Sequence, residues 1–152
     1  VTELRGLTVR QPWAWAIAAG GKDVENRTWT TRWRGRLLIH AGTALDEWGH
    51  HEQRVLAAWQ ALHGRPLDYR TLAQLPRAAV VATADLVDVH PASGACCLSP
   101  WGQRWQDDTA ERGGIHHWVL ADVHQLPEPI PARGRQGLWH PTPELASLVT
   151  PA

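Results

Sequence analysis

The chain has 152 residues, 43% hydrophobic and 20% charged, which fits one globular domain over residues 1–152 with a real core. Its 15 basic and 15 acidic residues cancel, which argues against coating nucleic acid through bulk charge. No apolar run nears the roughly 18 residues of a membrane span, and the N-terminal segment lacks a leader pattern, so a cytoplasmic location is expected.

Leu7-Thr8-Val9 reads as a short buried strand entered from Gly6. Pro12 suits a first helical turn, and WAWAIAA extends it to the stop at Gly20-Gly21. Lys22 to Trp29 reads as extended, with Lys22, Val24 and Asn26 on one side and Asp23, Glu25 and Arg27 on the other. Arg34-Gly35 then turns the chain into RLLIHAG, a central strand ending near His40. Thr43 is placed to cap a helix with Asp46 and Glu47 in its first turn. Leu45, Trp48, Val55, Leu56, Trp59 and Leu62 give that helix an apolar stripe, ending near Gly64.

Residues 65–77 read as a loop with one helical turn at Leu72–Leu75, and Ala78 to His90 as a long strand. Residues 91–114 lack periodicity and carry Cys96, Cys97, Trp101, Trp105, Asp107, Asp108 and Glu111. A structureless loop of that length in a domain is uncommon and often functional. Ile115 to His124 alternates as a strand, LPEPIPARG reads as a proline-rich connection, and QGLW as a last short strand. Five or six strands with two helices predict an α+β fold built on a small β-barrel.

Lysine and asparagine each occur once, as Lys22 and Asn26, in a chain with fourteen arginines. A lysine kept among arginines marks a place for a compact, titratable ammonium. Ten tryptophans without a phenylalanine point to coding bias, with most tryptophans standing in the core. Charge is uneven: residues 1–40 hold seven bases and three acids, and Arg27, Arg32, Arg34 and Arg36 interleave with Trp29 and Trp33. Arginine beside tryptophan neutralises phosphate and stacks on bases.

Metal chemistry gets little support. His50-His51 and His116-His117 are consecutive rather than three or four apart, and the adjacent Cys96-Cys97 lacks C-x-x-C spacing. No metal or cofactor is expected, and the cysteines read as structurally incidental. No nucleophile motif or phosphate-cradling glycine loop is present. The remaining constellation is Arg10, Gln11, Lys22, Glu25, Asn26, Arg27 and His40, which the strand and helix order brings to one mouth of the barrel. Gln11 and Asn26 each offer a donor and an acceptor, as base recognition requires. Trp13 or Trp29 would stack on a base, and Arg10, Arg32, Arg34 or Arg36 would contact phosphate. The competing reading makes Lys22, Glu25 and Arg27 exposed strand residues.

LTVRQPWAWAI, GGKDVENRTW and RGRLLIHAG, in that order and spacing, resemble the ASCH domain of the PUA-like superfamily. HHWVLADVHQLPEPIPARGRQGLW is similar to the C-terminal half of several bacterial members. The resemblance implies a PUA-like mixed β-barrel of five to six strands with two or more flanking helices, and a cleft near the first strand–helix junction. It also implies RNA or nucleotide binding, with ribonuclease activity attributed to some members. A compact subgroup hydrolyses acetylated cytidine with a lysine, a threonine three residues later and a distant glutamate.

Lys22 falls on that lysine, but the threonine position is Glu25, so no acyl-enzyme can form through it. Thr28 is out of register, and Glu111 is the candidate for the distant glutamate. The expected function is therefore RNA, nucleotide or nucleoside binding. The alternative is a hydrolase acting on a modified nucleoside or on RNA, with Lys22 and Glu25 as its acid–base pair. A third reading is a protein-interaction adaptor using the 91–114 loop.

Overall fold

Alternation along RLLIH puts Leu37 and Ile39 on one face of the strand β3 (Gly35–Leu45) and Leu38 on the other. All three are fully buried, because β3 is sandwiched on both faces. The computed structural model describes residues 3–93, 96–104 and 114–150. In it β3 pairs in parallel with β1 (Arg5–Gln11) and antiparallel with β4 (Ala79–Pro91). Outside β4 lie β5 (His116–Pro131) and β2 (Val24–Arg27), and outside β1 lies β6 (Leu138–Trp139), giving the order β2-β5-β4-β3-β1-β6. This mixed sheet forms a half-barrel flanked by helices. Although β2 and β1 lie far apart in that order, Arg27 Nη2 donates to the Thr8 carbonyl at 2.7 Å and ties them together.

The helix α1 (Trp13–Ala19) plugs the concave side, its Ala14 and Ile17 joining Leu7, Leu37, Ile39 and Trp118 in the main core. A second core forms where Val55 and Trp59 of α2 (Gln53–His63) meet Trp15, Val24, Leu72 and Trp101. Each such large side chain contributes about 1.5–3 kcal/mol by leaving water. Trp15, Trp59, Trp101, Trp118 and Trp139 are buried, as the core reading of the tryptophans expects, whereas Trp48 is 75% exposed.

Several elements depart from the sequence reading. Thr43 caps no helix: β3 continues to Leu45, which pairs with Gln11. Glu52 caps α2 instead, its carboxylate accepting from the Arg54 and Val55 N–H groups. The turn expected at Leu72–Leu75 is the end of a longer helix, α3 (Tyr69–Gln74), capped by Asp68. LPEPIP is strand rather than connection, since β5 runs to Pro131. Its prolines are tolerated because β2 pairs only with His116–Val119, so further on the strand's other edge has no ladder partner among the described residues. A fourth helix, α4 (Pro143–Val149), follows a Thr142 cap with proline in its first turn. Strict alternation also fails at Lys22, which precedes β2 and donates its backbone N–H to the Ala16 carbonyl. Trp105, Asp107, Asp108 and Glu111 lie outside the described residues.

Candidate functional site

A cleft of about 1700 Å³ opens where β1 ends, β2 begins and the segment 131–137 crosses the sheet. Of the sequence-predicted site residues, Arg10, Trp13, Glu25, Asn26, Arg27, Trp29 and His40 line it. Gln11, Lys22 and Arg34 do not. The lining adds Thr8, Arg133, Gly134 and Arg135, which the sequence reading did not single out. The signal available for the last three was the ARGRQG run, in which two arginines follow a proline-rich stretch.

Lys22 sits behind the cleft, only 2% exposed. Its ammonium donates to the Val24 carbonyl and to Glu25 Oε2, the latter at 2.7 Å. Burial pulls the lysine below its ordinary range, and the Glu25 carboxylate opposes that shift. Glu25 Oε1 lies 3.2 Å from Arg27 Nε, so one carboxylate bridges a buried ammonium and a half-buried guanidinium. Lys22 therefore acts on the cleft from behind, through Glu25 and through Trp13, whose ring its ammonium overlies at 5.8 Å.

The two amide side chains serve the scaffold. Gln11 is 1% exposed; its Oε1 accepts from the Trp15 N–H and its Nε2 donates to the Pro76 carbonyl. The bond from Trp15 satisfies one of the orphan donors at the start of α1. Asn26 clamps the segment 96–104, donating to the Trp101 carbonyl and accepting from the Gln103 N–H, both at 2.9 Å. Arg34 bonds the Thr31 and Trp33 carbonyls and pairs with Asp88, while Arg36 pairs with Asp85 and Asp122. The arginines of the 131–137 segment stand where Arg34 and Arg36 were expected.

His40 forms the cleft's polar base. Its Nε2 must carry the proton, because it bonds the Ala132 carbonyl at 2.7 Å. Nδ1 then faces Thr8 Oγ1 at 3.3 Å, while that hydroxyl donates its proton to the Arg135 carbonyl at 3.1 Å and accepts from Trp139 Nε1. Burial lowers the His40 pKa, against the opposing bond to Ala132. The 131–137 segment is thus fastened over His40 and Thr8, with Arg133 and Arg135 exposed at the cleft. Trp29 is held edge-on to Trp118 at 4.5 Å, and Trp13 Nε1 donates to Asp46. Both indoles keep part of their surface on the cleft.

Away from the cleft the structure draws together His90, Cys96, Cys97 and His117, one ligand atom from each lying within 4.8 Å of the others. Burial opposes ionisation of Cys96, but hydrogen bonds to Ser93 and the neighbouring His90 and Cys97 side chains outweigh it and bring its thiol to about 6. The cysteines are therefore placed more specifically than their adjacency in sequence implied.

A model of the ASCH domain matches residues 7–129. Human activating signal cointegrator 1 is 27% identical over 135 residues, and its mouse counterpart 25%. The alignments take in 88% of this chain but only 21% of either relative, so the chain spans about a fifth of their length. Among solved structures, an ASCH protein from Zymomonas mobilis superposes with a TM-score of 0.54 at 16% identity, over 96% of this chain and 95% of that one. A point mutant of the same protein gives 0.56 at 17%, over 97% and 96%. These structures share the fold. No helix among the described residues is long and apolar enough to cross a membrane.

Proposed function

Since the chain belongs to the ASCH domain family, we propose that its cleft binds single-stranded RNA or a nucleotide. The observation that carries this reading is the distribution of charge. Among the described residues, Arg10, Arg27, Arg133 and Arg135 line the cleft against a single carboxylate, Glu25, in a chain whose overall charge is zero. Concentrated cation in a concavity attracts phosphate even when net charge does not. Trp13 and Trp29 supply π-faces beside those arginines, the pairing that holds unstacked bases. Thr8 and His40, beneath the 131–137 segment, hold Arg133 and Arg135 at the cleft.

Titration of short unstructured RNAs, followed by tryptophan fluorescence at several salt concentrations, tests this reading. Quenching with affinity that falls steeply as salt rises is expected. Absent binding, or binding indifferent to salt, would overturn it.

The Lys22–Glu25 pair favours one second reading, a hydrolase acting on a modified nucleoside or on RNA. Glu25 faces the cleft and would be the group that exchanges a proton, with Lys22 setting its charge from behind. Incubation with acetylated cytidine and with RNA, comparing wild type, Glu25→Gln and Lys22→Ala, separates the two readings. Turnover lost in Glu25→Gln supports the hydrolase; equal turnover in all three removes the pair from any mechanism.

A further inference from the structure

Antiparallel pairing of β4 and β5 sets His90 directly opposite His117, and the segment after β4 folds back so that both cysteines face them. We propose that His90, Cys96, Cys97 and His117 form a structural zinc site. The proposal is independent of what the cleft binds.

Distances come first. The Cys96 and Cys97 sulfurs are 3.9 Å apart, and each lies 3.3 Å from His117 Nδ1. Tetrahedral zinc, with Zn–S about 2.3 Å and Zn–N about 2.0–2.1 Å, sets S···S edges near about 3.8 Å and S···N edges near about 3.6 Å. Three ligand atoms therefore already stand close to the corners of one tetrahedron.

Proton placement comes second. His117 Nε2 lies 2.7 Å from the Gln103 carbonyl, which can only accept, so Nε2 carries the proton and Nδ1 presents a bare lone pair. One lone pair cannot bond both sulfurs well, yet both face it at equal distance. A shared cation resolves this, since each sulfur as thiolate and the imidazole as neutral ligand then donate to one centre. His90 is prepared in the same way. Its Nδ1 bonds the Asp88 carboxylate at 2.7 Å, while its buried Nε2 makes no hydrogen bond among the described residues. A carboxylate or carbonyl behind each imidazole is the outer shell that zinc-bound histidines carry.

The surrounding backbone fits the same purpose. Gly102 lies flat on the His117 ring: a Cβ there would come within 2.8 Å of Cε1. Four protein ligands with no open position make a structural rather than a catalytic site. Zinc would lock the segment 96–104, which Asn26 already clamps from the cleft side, onto the sheet. Zinc takes both sulfurs as thiolates, any proton still on them passing to solvent, and transfers no electrons. The ligands escape a motif search because strand pairing, not sequence spacing, brings residues 90, 96, 97 and 117 together.

The test uses the whole chain, reduced, freed of metal and titrated with cobalt(II) and then zinc. One cobalt per chain is expected, with visible d–d bands and near-ultraviolet thiolate-to-metal absorption, both erased by one equivalent of zinc. Cys96→Ser/Cys97→Ser should lose the thiolate band. Asp88→Asn, an exposed change that keeps all four ligands, should weaken zinc binding by about 10–100-fold. Unchanged zinc affinity in the double serine variant, or cobalt uptake without a thiolate band, would overturn the proposal. So would a Cys96–Cys97 disulfide in the purified protein with no metal uptake after reduction.

Discussion

The Lys22 ammonium and the Glu25 carboxylate meet at 2.7 Å inside the protein, yet only the carboxylate reaches the cleft. Removing the lysine leaves a carboxylate that is 8% exposed and paired with Arg27 at 3.2 Å. Losing one partner of a buried pair typically costs about 3–5 kcal/mol, and Arg27 places Lys22→Met near the lower end, about 3 kcal/mol. Lys22→Met/Glu25→Gln should recover part of that loss, because no uncompensated charge then stays buried. Urea unfolding at neutral pH measures both. A loss below about 1 kcal/mol for Lys22→Met is the outcome that rejects a tight internal pair.

Arg133 and Arg135 are exposed at the cleft, whereas Arg34 is committed to the Thr31, Trp33 and Val89 carbonyls and to Asp88. For a single strand, each phosphate contact adds about 0.7 to the slope of log affinity against log salt. Arg133→Ala/Arg135→Ala should therefore flatten the slope by about 1.4, and Arg34→Ala should leave it unchanged. Fluorescence titrations at four or more salt concentrations decide the matter. Equal effects from both variants would show that phosphate is held elsewhere.

How far the sequence could be read depended on whether a residue's role is local. The burial of Leu37, Leu38 and Ile39 follows from one apolar run, and the end of α2 at Gly64 from its left-handed φ of 66°. Lys22 stood out as the single lysine, and the structure pairs it with Glu25 three residues away. Contacts made across the sheet were invisible. Nothing in the order of residues says that Gln11 meets Pro76, or that Asn26 meets Trp101 across 75 positions. Arg133 and Arg135 were overlooked because a proline-rich segment reads as a linker, whereas here it enters β5 and then crosses the cleft. The helix at Thr43 was misplaced because Thr, Asp and Glu form a cap pattern that the pairing of Leu45 with Gln11 overrides.

Gly134 leaves no room for a side chain. A Cβ there would lie 2.5 Å from His40 Cε1, 2.6 Å from its Nδ1 and 2.6 Å from Thr8 Oγ1. Neither neighbour can swing away without breaking its bonds to the Ala132 or Arg135 carbonyl. Gly134→Ala should therefore lift the 131–137 segment and cost about 1–3 kcal/mol, the usual penalty of overpacking. Because Arg133 and Arg135 ride on that segment, RNA affinity should fall in the same variant. Thermal unfolding and RNA titration of one preparation check both effects, and a variant normal in both would contradict the tight seat drawn for His40.

The seat of His40 also makes stability depend on pH. Burial is the larger influence on this imidazole and lowers its pKa, and Thr8, Ala132, Gly134 and Trp139 around it provide no carboxylate to offset a positive charge. The unfolded chain, with His40 near its ordinary value of about 6.5, takes up the proton more readily than the folded one. This contribution is therefore present in full above about pH 6.5 and is lost as pH falls towards the folded value, at up to about 1.4 kcal/mol per unit. His40→Gln removes the titrating group and should show a shallower decline in unfolding free energy between about pH 7.5 and about pH 5.5. Because the other histidines are common to both proteins, the difference between the two curves isolates His40. A steeper decline in the variant would mean that the protonated imidazole is the form the cleft prefers.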